Sequence, residues 1–499
     1  HWVWDDTERG YPALLDAGVR VERGIDLRLS HAILRHSVLS ADSRLATAPH
    51  SEWDALEPTQ TDDGGLFSLT TSADPDPLAE FQLQREATTD ARLALLLAAE
   101  CAGALAAAEM RHRGLPWRED EHSALLTELL GPRPAAGDRP AKLAVLAERI
   151  REALAAPKLN PDSPVELLKA LRRAGLQVNS TAKWELYDKQ HPVIAPLLEY
   201  KSLARLLTAN GWHWLDTNVS GGRFRADYVV GGVVTGRWAS KGGGGAMQLP
   251  KSVRSAVVAD PGWKLVVADA SQLEPRILAA MSGDEAMAGA GRAKDMYSAI
   301  VASGAVATRD HAKVAMLGAM YGATTGDSGR LMPALTRAYP RAIGLVESAA
   351  RAGENGEVVS TWLGRSSPLP GSTWLETQSK ASREGATDAD TSRARQAAKS
   401  WGRFTRNFIV QGTAAEWAMS WIALTRAGLF DLAGWRDDSA HLAFFLHDEL
   451  VIHTPVAHAE AASRVVADAA TRSGTLLFKN SSVEFPLSIA VVDRYSEAK

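Results

Sequence analysis

The sequence predicts an α+β protein of several domains, and three observations carry that reading. At 499 residues the chain exceeds a single hydrophobic core, so about two to four lobes are expected. The stretch Trp263 to Arg276, W-K-L-V-V-A-D-A-S-Q-L-E-P-R, is apolar without a break from Leu265 to Ala268, as in a strand buried on both faces. From Leu115 to Asn210 the pattern is helical and punctuated by Gly and Pro at 131–140 and 157–164.

The strand is expected to end at Asp269, and Pro275 suits the first turn of a helix, where a missing N–H costs nothing. A carboxylate thus sits between a strand end and a helix start, where a Mg2+ ion shared with substrate phosphates needs one. A lone Asp at a strand end is more often a solvated cap, so the reading depends on partners elsewhere. Phe444 to Ile452 supplies one: apolar residues flank His447-Asp448-Glu449, which reads as the tip of a tight hairpin. Between the two lies Arg309 to Gly322, in which Arg309, Lys313, Leu317 and Tyr321 recur every four residues and share one slowly drifting helical stripe. Two cations, an apolar residue and an aromatic on one face form a surface for a triphosphate, a sugar and a base.

These three segments, in this order, resemble motifs A, B and C of the family A DNA polymerases, the bacterial DNA polymerase I class. The resemblance covers residues 110–499 and is poor before them. It implies a right-hand fold: a thumb at 111–215, a palm with an antiparallel sheet at 216–300 and 407–499, and helical fingers at 301–406. Residues 1–110 are expected to form a degenerate, partial exonuclease-like α/β domain with an acidic linker at 57–80, a stretch without Lys or Arg. Asp6-Thr7-Glu8 and Asp90 mimic the carboxylates of such a domain, and the mimicry is read as accidental.

Composition limits the rest. Hydrophobic content of 45% and charged content of 23% are ordinary for a globular protein. The single cysteine, Cys101, excludes an internal disulfide and a cysteine-rich zinc site, and suits a reducing compartment; a cytoplasmic, nucleoid-associated monomer is expected. The net charge of -4 does not announce a nucleic-acid partner, but Arg393, Arg395, Lys399, Arg403 and Arg406 lie in a run with no acidic residue. Leu93 to Met110 is alanine-dominated and carries Glu100 and Glu109, which argues for a buried helix and no membrane contact. The chain begins at His1 without an initiator Met.

Along the rest of the chain, Lys183, Lys201 and Arg205 are candidate thumb contacts to duplex phosphates. Thr235-Gly236-Arg237 resembles the family's Thr-Gly-Arg segment, which places Arg237 at the minor groove, where acceptors are the same for every correct pair. Lys241 to Gly245 lacks the Gly-Lys-Ser/Thr of a phosphate cradle and reads as a loop. Gln248 stands at a template-side position although the neighbouring Asn of the family is missing. Residues 371–392, rich in Ser, Thr, Ala and Asp, look inserted and mobile. Arg403, Asn407 and Gln411 fall on a helix facing the duplex.

The resemblance implies the following roles. Asp269 and Asp448 hold two Mg2+ ions, for which Mn2+ can substitute, and Glu449 assists through water. Arg309 and Lys313 hold the triphosphate, Tyr321 guards the template base, Gln272 and Glu274 border the nucleotide, and His447 lies near the primer end. Glu274 resembles the gate that excludes a ribose 2′-hydroxyl. Leu317 departs from the family, which has Phe or Tyr there against the sugar. The implied partners are primer-template DNA and deoxynucleoside triphosphates, the implied reaction is template-directed DNA synthesis, and no proofreading is expected. The competing readings are a DNA-binding scaffold that has lost catalysis, with Leu317 in its favour, and a single-subunit RNA polymerase, against which Glu274 stands.

Overall fold

The structure is a computed structural model that describes residues 2–55, 76–135, 137–241, 249–322, 326–479 and 481–498. Most of the acidic linker, together with Gly242–Gly245 and Gln248, lies outside the described residues. The chain divides into two compact units: one joins 1–114, 227–241 and 262–492, and the other joins 115–226, 242–261 and 493–499. Residues 216–226, 242–261 and 493–499, expected with the palm, belong instead to the second unit. One cause is visible at 223–224, where a strand pairs with Leu115–Pro116 and Val219–Ser220 in a three-stranded sheet.

The first unit is built on a four-stranded antiparallel sheet. The helices that frame it begin with α1 (Ala91–Arg113); β1 (Trp263–Ala270) then leads into α2 (Leu273–Ser282), followed by α3 (Arg309–Tyr321) and the 46-residue α4 (Asp388–Ala433). The sheet is completed by β2 (His441–Leu446), β3 (Glu449–Pro455) and, after α5 (Ala459–Phe478), β4 (Leu487–Val492). Strand order is β4-β1-β3-β2. Leu265, Val266, Val267 and Ala268 are all 2% exposed or less, which is why the central strand reads as an unbroken apolar run. Burying each Leu or Val side chain stabilises the fold by roughly 1.5–3 kcal/mol.

Helix α4 is the spine of this unit. Trp417 and Trp421 are buried along it, and the Trp421 indole N–H donates to the Val466 carbonyl of α5 at 3.0 Å. The helix starts at a capping box, in which Thr387 and Asp390 satisfy each other's backbone N–H. That box, together with the helix Ser372–Ala381, corrects the expectation of a mobile insertion at 371–392. Where α4 crosses the helix Pro340–Glu354, Gly402 allows the close approach, since a Cβ there would stand 2.7 Å from the Ala350 carbonyl oxygen.

The N-terminal part contributes a parallel pair of strands, Trp2–Trp4 with Gly24–Asp26, over a small core of Trp4, Tyr11, Leu15, Val21 and Leu105. Asp6 caps the helix Thr7–Asp16 and accepts from Arg28 at 2.8 Å, and Asp90 caps α1 and pairs with Arg92. Both carboxylates therefore carry structural duties. Helix α1 is long and apolar enough to cross a membrane by length and composition, yet 67% of that window is buried in the protein. It is tied to α4 by buried Glu109, which accepts from Tyr11 at 2.7 Å and from two nitrogens of Arg426 at 2.6 and 2.8 Å.

The second unit is helical around an aromatic core of Trp117, Trp214 and Phe224 with His122 among them. Lys201, a candidate phosphate contact, is instead turned inward: its ammonium donates to the Thr181 carbonyl and, at 2.9 Å, to the Thr181 hydroxyl. Lys183 is exposed. His122 is fully buried, and its Nε2 lies 2.9 Å from the Asn210 carbonyl, which fixes the proton on that nitrogen. Burial pushes its pKa down to about 4, against the opposing pull of that carbonyl. The folded state thus prefers neutral His122. The stability this contributes is complete above the ordinary pKa near 6.5 and is lost as pH falls toward 4, by on the order of 2–3 kcal/mol. Thermal unfolding at pH 7 and pH 4 should therefore show a smaller acid penalty in His122→Phe than in the unsubstituted chain. An equal penalty in both would remove His122 from the account.

Candidate active site

The register of the sheet brings the two expected carboxylates together. Glu449 on β3 faces Asp269 on β1, and Leu446 on β2 faces Glu449 from the other side, leaving His447 and Asp448 as a two-residue turn. The Ala270 N–H donates to the Asp448 carbonyl at 2.8 Å, which fixes that turn beside the end of β1. Asp269 and Asp448 are both half-exposed, whereas Glu449 is only 3% exposed. Two accessible carboxylates therefore share one end of the sheet with a third held in its interior.

Backbone strain gathers at the same place. Of the four non-glycine residues with positive φ among the described residues, Gln272 (57°) and His447 (58°) flank these carboxylates. A left-handed conformation costs an L-residue on the order of 1 kcal/mol or more, and such strain persists where surrounding contacts enforce it. For Gln272 those contacts are visible. Its amide donates to Asp295 at 2.6 Å and accepts from the Met296 N–H at 2.8 Å.

Each end of the α3 stripe is tied to the segment that follows β1, the first through Asp295 to Gln272 and the last directly to Glu274 in the first turn of α2. At its start, Arg309 donates to Asp295 at 2.8 Å and lies over the Tyr297 ring at 5.6 Å. At its end, the Tyr321 hydroxyl donates to Glu274 at 2.8 Å and accepts from the Gln411 amide at 3.1 Å. The stripe itself faces outward: Arg309, Lys313 and Tyr321 are exposed and Leu317 half-buried, while Ala312, Ala315, Met316, Ala319 and Met320 bury the opposite face. Burial works against ionisation of Asp295, but hydrogen bonds from Arg309, Ser298 and Gln272 hold its carboxyl well below the usual range.

Glu274 is held from two sides, by Arg237 at 2.5 Å and by Tyr321. Arg237 is therefore found on Glu274, and Gln411 on Tyr321, so four of the expected residues form one network. Burial, with the Glu274 charge adding to it, raises the Tyr321 hydroxyl. His447 is exposed at the hairpin tip; partial burial of its ring and the nearby Arg237 push its pKa down. Asn407 is half-buried, and its Oδ1 is buried without a hydrogen-bond partner among the described residues.

The basic run on α4 divides by surroundings. Arg395, Lys399 and Arg403 are exposed, whereas Arg406 is 6% exposed, donates to the Ala319 carbonyl at 3.1 Å and pairs with Glu347. Arg393 is spent on Asp390 within its own helix. Two residues that matter to the site were not anticipated as such. Asp295 joins Gln272 to Arg309, and Arg276 is wholly buried while donating to five backbone carbonyls around the site: Ser271, Gly291, Ala293, Lys294 and Glu484.

Comparison with known proteins gives the fold and the family. The fold is that of a polymerase domain: the solved structure of the POL domain of Pol1 from M. smegmatis, in complex with DNA primer-template and dNTP, superposes with a TM-score of 0.65 at 20% identity over 85% of this chain and 75% of that one. Residues 138–496 match the description DNA polymerase family A, and the chain belongs to that family. It is 27% identical over 343 residues to DNA polymerase I of Chloroflexus aurantiacus, a stretch that is 62% of this chain and 33% of that protein. It is 25% identical over 327 residues to the thermostable DNA polymerase I of Thermus aquaticus, covering 59% of this chain and 36% of the relative. The thermostable enzyme of Thermus filiformis gives 29% over 327 residues, with the same two coverages. The chain thus spans about a third of the length of the curated relatives it matches.

Proposed function

We propose that the chain catalyses template-directed DNA synthesis, adding deoxynucleotides to a primer 3′-hydroxyl with release of pyrophosphate. The observation that carries this reading is the tie from each end of the Arg309–Tyr321 stripe to the segment after Asp269, Arg309 through Asp295 to Gln272 and Tyr321 directly to Glu274. One continuous surface then offers carboxylates for metal, cations for phosphates and an aromatic for a base.

The donor set fits Mg2+. That ion takes one or two carboxylates and completes its shell with phosphate and water, and Asp269 and Asp448 are two half-exposed carboxylates at one sheet end. Two ions held by Asp269 and Asp448, Mg2+ or Mn2+, would supply charge stabilisation to the attacking and leaving oxygens. Arg309 and Lys313 neutralise the triphosphate and place positive charge where the pyrophosphate develops its own. Asp295 keeps Arg309 oriented before substrate arrives. Glu449, buried beside Asp269, acts on the site through water.

Glu274 serves as the gate against a ribose 2′-hydroxyl. A gate must stay in place, and its carboxylate is held by Arg237 and Tyr321 together. Tyr321 and Gln272 border the nucleotide. Arg237, Arg403, Asn407, Gln411 and His447 contact the duplex, with Gln248 on the template side. The chain is read as a monomer. It is also read as one that does not proofread, since Asp6, Glu8 and Asp90 are engaged by Arg28, Lys241 and Arg92.

Primer extension with Mg2+ tests the reading when deoxy- and ribonucleotides are compared on one template. Extension with deoxynucleotides alone is expected, and a 3′-mismatched primer should not be shortened without nucleotides. Equal use of ribonucleotides would favour an RNA polymerase, and tight duplex binding without extension would favour a scaffold.

Leu317 allows a narrower prediction. On the α3 stripe between Lys313 and Tyr321, Leu317→Phe should add an aromatic contact to the sugar without touching the phosphate contacts. By analogy with aromatic pairs the gain is about 0.5–1.5 kcal/mol, a few-fold to tenfold in nucleotide affinity. It should appear in KM rather than kcat, since a contact present in ground and transition states binds uniformly. Single-turnover incorporation at varied nucleotide concentration measures it, and an unchanged or weaker affinity would show a pocket shaped around leucine.

A further inference from the structure

The segment from Asp227 to Lys241, which carries Arg237, touches the N-terminal region at both ends and at Gly231 and Trp238. Its first residue pairs with Arg111 and its last with Glu8. In between, a Cβ added to Gly231 would stand 3.3 Å from Leu29 and 3.4 Å from Glu100 Oε1. Gly103 of α1 lies under Trp238: a Cβ there would come within 3.4 Å of the indole and 2.8 Å of the Met419 sulfur that accepts the indole N–H.

The centre of this seat is Glu100, 2% exposed on α1, which accepts from Arg365 Nη2 at 2.6 Å. The Arg365 guanidinium in turn fills the space beside Gly236, where φ is +83° and a Cβ would meet Nε at 2.6 Å. No L-side chain is accommodated there while Arg365 keeps its place. Gly236 closes a turn by donating its N–H to the Val233 carbonyl at 2.7 Å, and the Val233 N–H donates to the Arg237 carbonyl at 3.2 Å. A run of contacts therefore leads from a buried carboxylate on α1 to the backbone of Arg237, whose guanidinium holds Glu274.

We propose that Glu100 is a positioning residue for Arg237: acting through Arg365 and Gly236, the N-terminal region fixes the guanidinium that holds the Glu274 gate. Helix α1 is on this account a working part of the polymerase site. Withdrawing the Glu100 charge takes from the half-buried Arg365 the carboxylate it is hydrogen-bonded to, leaving only the weaker pull of nearby Glu416, so the guanidinium moves toward water and the turn at Gly236 loses its backing. The catalytic consequence rests on the polymerase reading above; the coupling itself rests on geometry.

Two measurements on the whole chain test it, with Glu100→Gln, which keeps shape and removes charge. In hydrogen exchange, peptides spanning 232–238 should exchange about tenfold or more faster than in the unsubstituted chain, while peptides from β1 and β3 stay unchanged. Unaltered protection at 232–238 overturns the proposal. Should Glu100→Gln fail to fold, Glu100→Met combined with Arg365→Met leaves neither charge buried and is expected to show the same local loss. In primer extension, Glu100→Gln should lower kcat/KM on the order of tenfold when Arg237 is present and have little further effect in Arg237→Ala. Additive losses would reduce Glu100 to a stability role and overturn the proposal. The exchange measurement needs no turnover, so an inactive unsubstituted chain would sink the polymerase reading while the coupling is still decided.

Discussion

Asp269→Asn and Asp448→Asn are each expected to lower templated nucleotide addition by at least 10²–10³-fold, the order seen when one preorganised charge-stabilising group is removed from a reaction centre. Each substitution keeps the shape of the side chain, so the register of Glu449 with Asp269 and the bond from the Ala270 N–H to the Asp448 carbonyl should survive. What is lost is negative charge at the end of the sheet, and with it the affinity for a hard cation. Affinity for duplex DNA should hold or rise slightly, because a carboxylate near phosphates is repulsive. Single-turnover extension paired with fluorescence anisotropy of labelled primer-template separates the two effects. Extension near the unsubstituted rate in either variant would remove that residue from the metal site.

The second large effect is on stability. Arg276→Met should lower the first unfolding transition by about 5 °C, corresponding to roughly 4 kcal/mol in a unit of this size. Arg276 is wholly buried and gives hydrogen bonds of 2.6 to 3.0 Å to five carbonyls. Methionine fills much of the volume but donates nothing, leaving several buried carbonyls unsatisfied at about 1–3 kcal/mol each before relaxation. Because Lys294 and Ala293 precede Asp295, the loop that holds Gln272 and Arg309 should loosen as well, and nucleotide affinity should fall with stability. A shift in the transition of less than about 2 °C would show that water takes over those carbonyls.

The parts of the site that were legible in the sequence are those encoded by local periodicity. The apolar run in β1 marks a strand buried on both faces, the charges at 447–449 mark the tip of a hairpin, and the four-residue spacing from Arg309 to Tyr321 marks one helix face. Arg276 and Asp295 were not legible because their partners are set by the fold. Arg276 reaches a carbonyl 208 residues away, and Asp295 joins residues on two different elements. Residue type misled in the same way for Lys201 and Arg406: both look like surface cations, and both spend their charge inside the protein. At 371–392 polar composition suggested mobility, whereas the Thr387 and Asp390 pair starts a long helix. The seat of the Arg237 segment depends on an ion pair between Glu8 and Lys241, separated by 233 residues, which no local pattern could announce.

The most direct test of the central claim is single-turnover incorporation opposite each of the four template bases, with each deoxynucleotide offered in turn in Mg2+. The account predicts that the complementary nucleotide is added to the primer in each case, that mismatched additions are far slower, and that all addition falls away in Asp269→Asn and Asp448→Asn. Addition that ignores the template base, or addition that persists in both variants, would contradict it.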